Sequence, residues 1–65
     1  MNIARNLMEI AQANRQMTDA EVARLAGISA QTLCAVKRGE NCKPATAGKI
    51  AAALGVSVES IVRKE

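Results

Sequence analysis

The side chains of this chain with most to offer a ligand lie in one short run, GISAQTLCAVKRGENCKP, residues 27–44. Gln31 carries a carboxamide, Thr32 a hydroxyl and Cys34 a thiol, while Lys37, Arg38 and Lys43 carry positive charge. A carboxamide can pair through two hydrogen bonds with the edge of a base, and lysine and arginine neutralise phosphates. That is the chemistry of holding and reading a duplex. Bond-breaking chemistry has less to work with. The chain has no histidine, no Gly-rich phosphate loop and no cysteine–histidine pair. Its carboxylates are interspersed with basic residues on predicted helices, as on solvated faces, and no enzyme is expected. Cys34 and Cys42 are too few for a zinc site, which takes about four ligands, or for a disulfide framework. No metal or cofactor is expected, and neither thiol is assigned a redox role.

These side chains must be carried by a small fold. Sixty-five residues make one domain, residues 1–65. A chain this short buries only about 60% of the surface its unfolded form exposes. Apolar residues make up 49% of it, which argues against disorder. Aromatic residues are absent, so Ile, Leu, Val, Met and many alanines must fill the core. Alanine has the best helix propensity and lets helices approach closely. The composition predicts a compact all-α domain. Nine Lys/Arg against six Asp/Glu leave a net charge of +3, a modest basic excess. No apolar run nears the ~18 residues of a membrane span, and no signal peptide is visible. A cytoplasmic protein with reduced thiols is the expectation.

Periodicity and caps divide the chain into five helices. Residues 3–14 form the first, with Ile3, Leu7 and Ile10 on one apolar row, Ala4, Met8 and Ala11 on the next, and Asn2 as N-cap. Thr18 followed by Glu21 is a capping box and starts the second helix. Val22, Leu25 and Ala26 make its inner face, and Gly27 ends it in the left-handed conformation. Ser29 caps the third helix, "AQTLCAVK", which Gly39 ends. Leu33 and Val36 share its inner face, and Gln31, Cys34, Ala35 and Arg38 occupy the opposite one. Pro44 and Thr46 signal the fourth helix, "AGKIAAAL", ended by Gly55, with Ile50, Ala53 and Leu54 facing the core. Ser57 caps a short fifth helix whose apolar positions are Val58, Ile61 and Val62. Met8 and Met17 read as core filler.

Two short helices joined by a tight glycine turn form a helix-turn-helix candidate. Ala23 is small where the two helices must nearly touch, and Ile28 and Leu33 anchor the second of them. The pattern of Thr18, Glu21, Val22, Ala23, Gly27, Ile28, Ser29, Thr32, Leu33, Val36 and Gly39, followed by "AAALGVSVESIV", resembles the lambda-repressor/Cro (Xre-like) helix-turn-helix family over essentially the whole chain. The resemblance implies a compact five-helix bundle, with the helix-turn-helix at helices two and three. It implies a DNA-binding regulator, usually a homodimeric repressor on an operator with two-fold symmetry.

Carried over residue by residue, the resemblance places Ala30, Gln31, Cys34 and Ala35 near base edges. It places Thr32, Arg38, Asn41 and Lys43 near the DNA backbone. The N-termini of the second helix, at Thr18, and of the fourth would offer amide groups to phosphates. Two departures stand out. The family often has Gln at the start of the second helix, where this chain has Asp19, so that carboxylate either turns away as a cap or the contact is missing. Many members pair an Arg in the first helix with a Glu where Lys37 stands. Gln12 occupies the first-helix position here, which predicts that Lys37 is free to serve phosphates.

The chain stops directly after the fifth helix, which favours a small Cro-like or prophage regulator over a two-domain repressor. An antitoxin or restriction–modification controller built on the same domain is an alternative, as is a protein-interaction module without specific DNA binding. Val58, Ile61 and Val62 read first as core. Val56, Val58 and Val62 are the candidates for leaving apolar area to a second copy.

Overall fold

The computed structural model describes residues 1–63. Four α-helices follow one another: α1 (Arg5–Arg15), α2 (Asp19–Ala26), α3 (Ala30–Lys37) and α4 (Pro44–Leu54). In place of the expected fifth helix there is a single 3-10 turn, Val58–Ser60. The reason lies in the backbone on either side of it. An extended segment at the N-terminus pairs with the chain end: Ile3 and Val62 form an antiparallel bridge, Ala4 N–H donates to Ile61 C=O at 2.7 Å, and Arg63 N–H donates to Asn2 C=O at 2.8 Å. The Ile61 carbonyl and the Arg63 amide are drawn into that pairing and are not free to continue a helix. Ser57 does not cap the turn with its side chain; its hydroxyl pairs with that of Ser60 at 2.7 Å.

The same pairing corrects the start of α1. Asn2 is not its N-cap. The Asn2 amide donates to Gly39 C=O at 2.6 Å, and Met1 exchanges backbone bonds with Cys42. The first four residues thus strap the α3–α4 loop to the chain end. Ile3 lies fully buried outside the helix, so the phase of α1 is set by Met8, Ala11 and Gln12. Leu7 and Ile10, expected inside, are exposed. They border a shallow furrow of about 330 Å³ whose lining includes Leu54, Val56 and Ile61.

α4 is the central element. It packs on α2, on α1 and on the 3-10 turn, burying Ala47, Ile50, Ala51 and Leu54, while Ala53 is half-buried. α2 turns Val22, Ala23 and Ala26 inward, and Leu25 is left 56% exposed rather than buried. Alanines at 23, 26, 47 and 51 let the backbones come close enough that one row of larger side chains fills the interior. Leu33 and Val36 fasten α3 to this core. Met8 is buried and Met17 half-buried against it.

Candidate nucleic-acid interface

The α2–turn–α3 unit is built by local hydrogen bonds. The Thr18 hydroxyl accepts from Glu21 N–H at 3.2 Å, and the Glu21 carboxylate accepts from Thr18 N–H at 3.0 Å. This reciprocal box closes the start of α2. The Glu21 carboxylate accepts from the Thr18 N–H and also from the Thr18 hydroxyl, and these two bonds favour its charged form and hold it below its ordinary range. α2 ends at Gly27, whose φ of 71° turns the chain sharply without the Cβ penalty of other residues. Ile28 N–H bonds back to Ala23 C=O at 3.0 Å. Ser29 then caps α3: its hydroxyl accepts from Thr32 N–H at 3.0 Å and donates to the Thr32 hydroxyl at 2.8 Å. Three residues therefore connect the two helices, as the sequence predicts.

With Leu33 and Val36 inward, α3 presents Ala30, Gln31, Thr32 and Cys34 to solvent, with Ala35 half-buried beside them. Arg38 caps the helix and is exposed; Asn41 and Lys43 are exposed in the loop that follows. The expected reading face is thus one continuous surface with polar and cationic groups at its C-terminal end. Arg38 pairs with Glu40 at 2.9 Å, which favours its protonated form. Both side chains are well exposed, and such pairs contribute little, so the guanidinium can exchange partners. The Thr32 hydroxyl accepts from Ser29, which leaves its own proton available. The Thr18 hydroxyl is more committed, donating to Glu21 at 3.2 Å as well as accepting from it.

Two helix N-termini flank the C-terminal end of α3. That of α4 follows directly from the 38–43 loop. Lys43 occupies its N-cap with no side-chain cap bond, Pro44 opens the helix, and no acidic residue stands in its first turn. Its first amides are open to an anion. That of α2 is joined to α3 through Asp19. The Lys37 ammonium donates to Asp19 Oδ1 at 2.7 Å, and the Gln12 amide donates to the same oxygen at 2.8 Å. Lys37 is therefore not free: its side chain is only 12% exposed, and its charge is met by Asp19. These two hydrogen bonds, from Gln12 first and then Lys37, hold the Asp19 carboxyl below its ordinary range. The residues at 12, 19 and 37, which depart from the family pattern, answer one another in the fold. The available signal was an acid in the first turn of α2, a base in the last turn of α3, and a neutral amide where an arginine is common.

Residues 6–61 match the helix-turn-helix family of the lambda-repressor-like (Xre) kind. The chain belongs to that family. No curated protein and no solved structure matches it. The helix-turn-helix family is one of DNA-binding transcription regulators and is generally non-enzymatic. Among the described residues no helix is long and apolar enough to cross a membrane, and no cluster of His, Cys, Asp and Glu could hold a metal ion. Cys34 and Cys42 are both free thiols.

Proposed function

We propose that the protein is a Cro-like transcriptional repressor that binds a palindromic operator as a homodimer in the cytoplasm, with α3 in the major groove. The observation that carries this reading is the exposed face of α3, uncharged at its centre and cationic at its C-terminal end. Gln31 is the principal reader, its amide paired with adenine; a good bidentate pair gives about 1–3 kcal/mol of discrimination. Ala30 and Ala35 touch thymine methyl groups, and Cys34 makes a small, weakly polar contact. Arg38, Asn41, Lys43 and the Thr32 hydroxyl hold phosphates, with the open amides of α4 and, more weakly, Thr18. With two alanines on the reading face, DNA shape supplies part of the specificity.

One copy is 28 Å in its longest dimension. Successive major-groove faces lie about 34 Å apart, so each copy reads one half-site and two copies are needed for an operator. The two copies meet through Val56, Val58 and Val62; Val56 lines a furrow with exposed Leu7 and Ile10, and Val62 lines one with Leu7.

The test is selection of bound sequences from a random duplex library at near-physiological salt. A palindromic consensus with half-sites about one turn apart supports the reading. In that assay Gln31→Ala relaxes preference at one base position. Lys43→Ala instead weakens binding to all sequences and lowers the salt dependence by about one unit of slope. Identical behaviour of the two variants would remove the division into readers and holders. Recovery of no consensus, together with a co-purifying protein, would favour an antitoxin or a protein-interaction module.

A further inference from the structure

We propose that Asp19 sets how strongly the α2–α3 surface is drawn to DNA: by binding Lys37 it cancels a positive charge at the edge of the reading helix and makes Lys37 a positioning residue for α3 rather than a phosphate ligand. The inference rests on the DNA-binding reading above and concerns affinity, which that reading does not fix.

Three helices converge on one carboxylate oxygen. Gln12 from α1 and Lys37 from α3 both donate to Asp19 Oδ1, at 2.8 and 2.7 Å. Gln12 is 6% exposed and is the one buried polar side chain among the described residues. Its Nε2 also points at Met17 C=O, at 3.4 Å. Reversing the amide would set oxygen against two acceptors, so its orientation is determined, and Oε1 is left buried with no partner. An apolar residue at position 12 would avoid that cost. Against that cost, the amide holds the carboxylate in place.

The carboxylate faces two ways. Its bonded oxygen fixes the end of Lys37, whose stem is packed away. Yet the Asp19 side chain as a whole is 62% exposed, in the first turn of α2 and close to Glu21. A phosphate approaching the start of α2 meets a negative charge and finds the nearest lysine engaged. At the other flank Lys43 stands with no acid in the adjoining helix turn. On the α2 side Asp19 and Glu21 outnumber Lys37, while on the α4 side Lys43 meets no acid in the first helix turn. The consequence is functional. Phosphate attraction raises affinity for every sequence alike, whereas discrimination comes from a thin set of base contacts. Cancelling one cation keeps nonspecific binding low, so that Gln31 and DNA shape decide where the protein rests.

The deciding experiment is a salt titration of binding to a 20-base-pair duplex of random sequence. It compares the wild-type protein with Asp19→Asn and with Asp19→Asn/Lys37→Gln, each checked for helical content. Asp19→Asn keeps an acceptor for Gln12 but removes the charge. Its log–log salt plot steepens by about 0.9 per protomer, so over a fourfold rise in salt its affinity falls roughly threefold more than that of the wild type. The double variant, which removes both charges, runs parallel to the wild type. A purely structural pair would change helical content or melting and leave the slope alone. An unchanged slope in Asp19→Asn overturns the proposal, as does a double variant flattened by about one unit, which would show Lys37 on phosphate. If Asp19→Asn does not fold, the double variant decides alone. Absence of salt-dependent binding by the wild type would overturn the DNA reading itself and this inference with it.

Discussion

The first turns of α2 and α4 solve the same problem in opposite ways. Each helix begins with amides that have no partner within the helix. α2 answers with its own side chains: Thr18 and Glu21 close a capping box, and Asp19 and Glu21 place negative charge against the positive end of the helix. α4 supplies no side-chain cap, puts Lys43 at the N-cap, and begins with Pro44, whose missing N–H needs no partner. Amides that serve a cap are no longer there for a ligand. The closed end contributes to stability, and the open end leaves its first amides without a side-chain cap. Both lie beside the end of α3, so under the proposed reading the α4 end is the one left open to a phosphate.

Making the open end resemble the closed one produces the largest expected effect. Lys43→Asp supplies a good N-cap and stabilises the fold by about 1 kcal/mol. It also reverses a charge where a phosphate is expected. Duplex affinity at about 50 mM salt falls more than roughly tenfold, and the salt dependence flattens by at least about one unit of slope. Urea denaturation and a salt titration on the same sample measure both. Stability and affinity moving in the same direction would mean that the two ends do not divide these roles.

Opening the closed end is the next test. Thr18→Ala removes the hydroxyl that accepts from Glu21 N–H and costs about 1–2 kcal/mol, read as a lower urea midpoint. The slope of the salt plot should hardly move, because that slope is set by the cations. A loss of duplex affinity equal to that of Lys43→Ala would make Thr18 as strong a phosphate holder as Lys43 and the two ends alike.

The parts of this arrangement that could be read in the sequence are those decided within a few residues. Thr18 with Glu21, Gly27, and Ser29 before α3 each act on their own neighbours, and each does what its spacing predicts. The inward face of α3 follows from Leu33 and Val36 for the same reason. What could not be read depends on segments far apart in the chain. Ile3 fits a helical row with Leu7 and Ile10, yet bridging to Val62 takes it out of the helix and resets the phase of α1. The "VSVESIV" segment has the composition of a helix, but its last residues pair with the N-terminal strap. Lys37 reads as unpartnered because α1 offers it only the neutral Gln12, where many members pair an Arg with a Glu at the α3 position. Its actual partner lies 18 residues before it on α2.

Gln12 gives the smallest expected change in stability and a specific one in pH dependence. Gln12→Met removes the hydrogen bond to Asp19, a bond to a charged group worth about 1.5–3 kcal/mol. It also removes the buried Oε1, whose lack of a partner costs about 1–3 kcal/mol. The two nearly offset, so stability at pH 7 should stay within about 1 kcal/mol of the wild type. The acid limb separates the proteins. A carboxyl whose folded pKa is depressed contributes stability above its unfolded value, 3.8 for Asp19, and loses it as pH falls through the lower folded value. The Gln12 bond is the largest cause of that depression. Without it, Asp19 keeps only its bond to Lys37 and the charges of Lys37 and Arg5. Less stability is then lost below pH 4, and the urea midpoint of Gln12→Met falls less steeply with acid than that of the wild type. Glu21 titrates in the same region, held down by Thr18, and is common to both proteins. Parallel acid limbs would mean that Gln12 fills space in α1 without holding Asp19, and the closed end of α2 would then depend on Lys37 and the capping box alone.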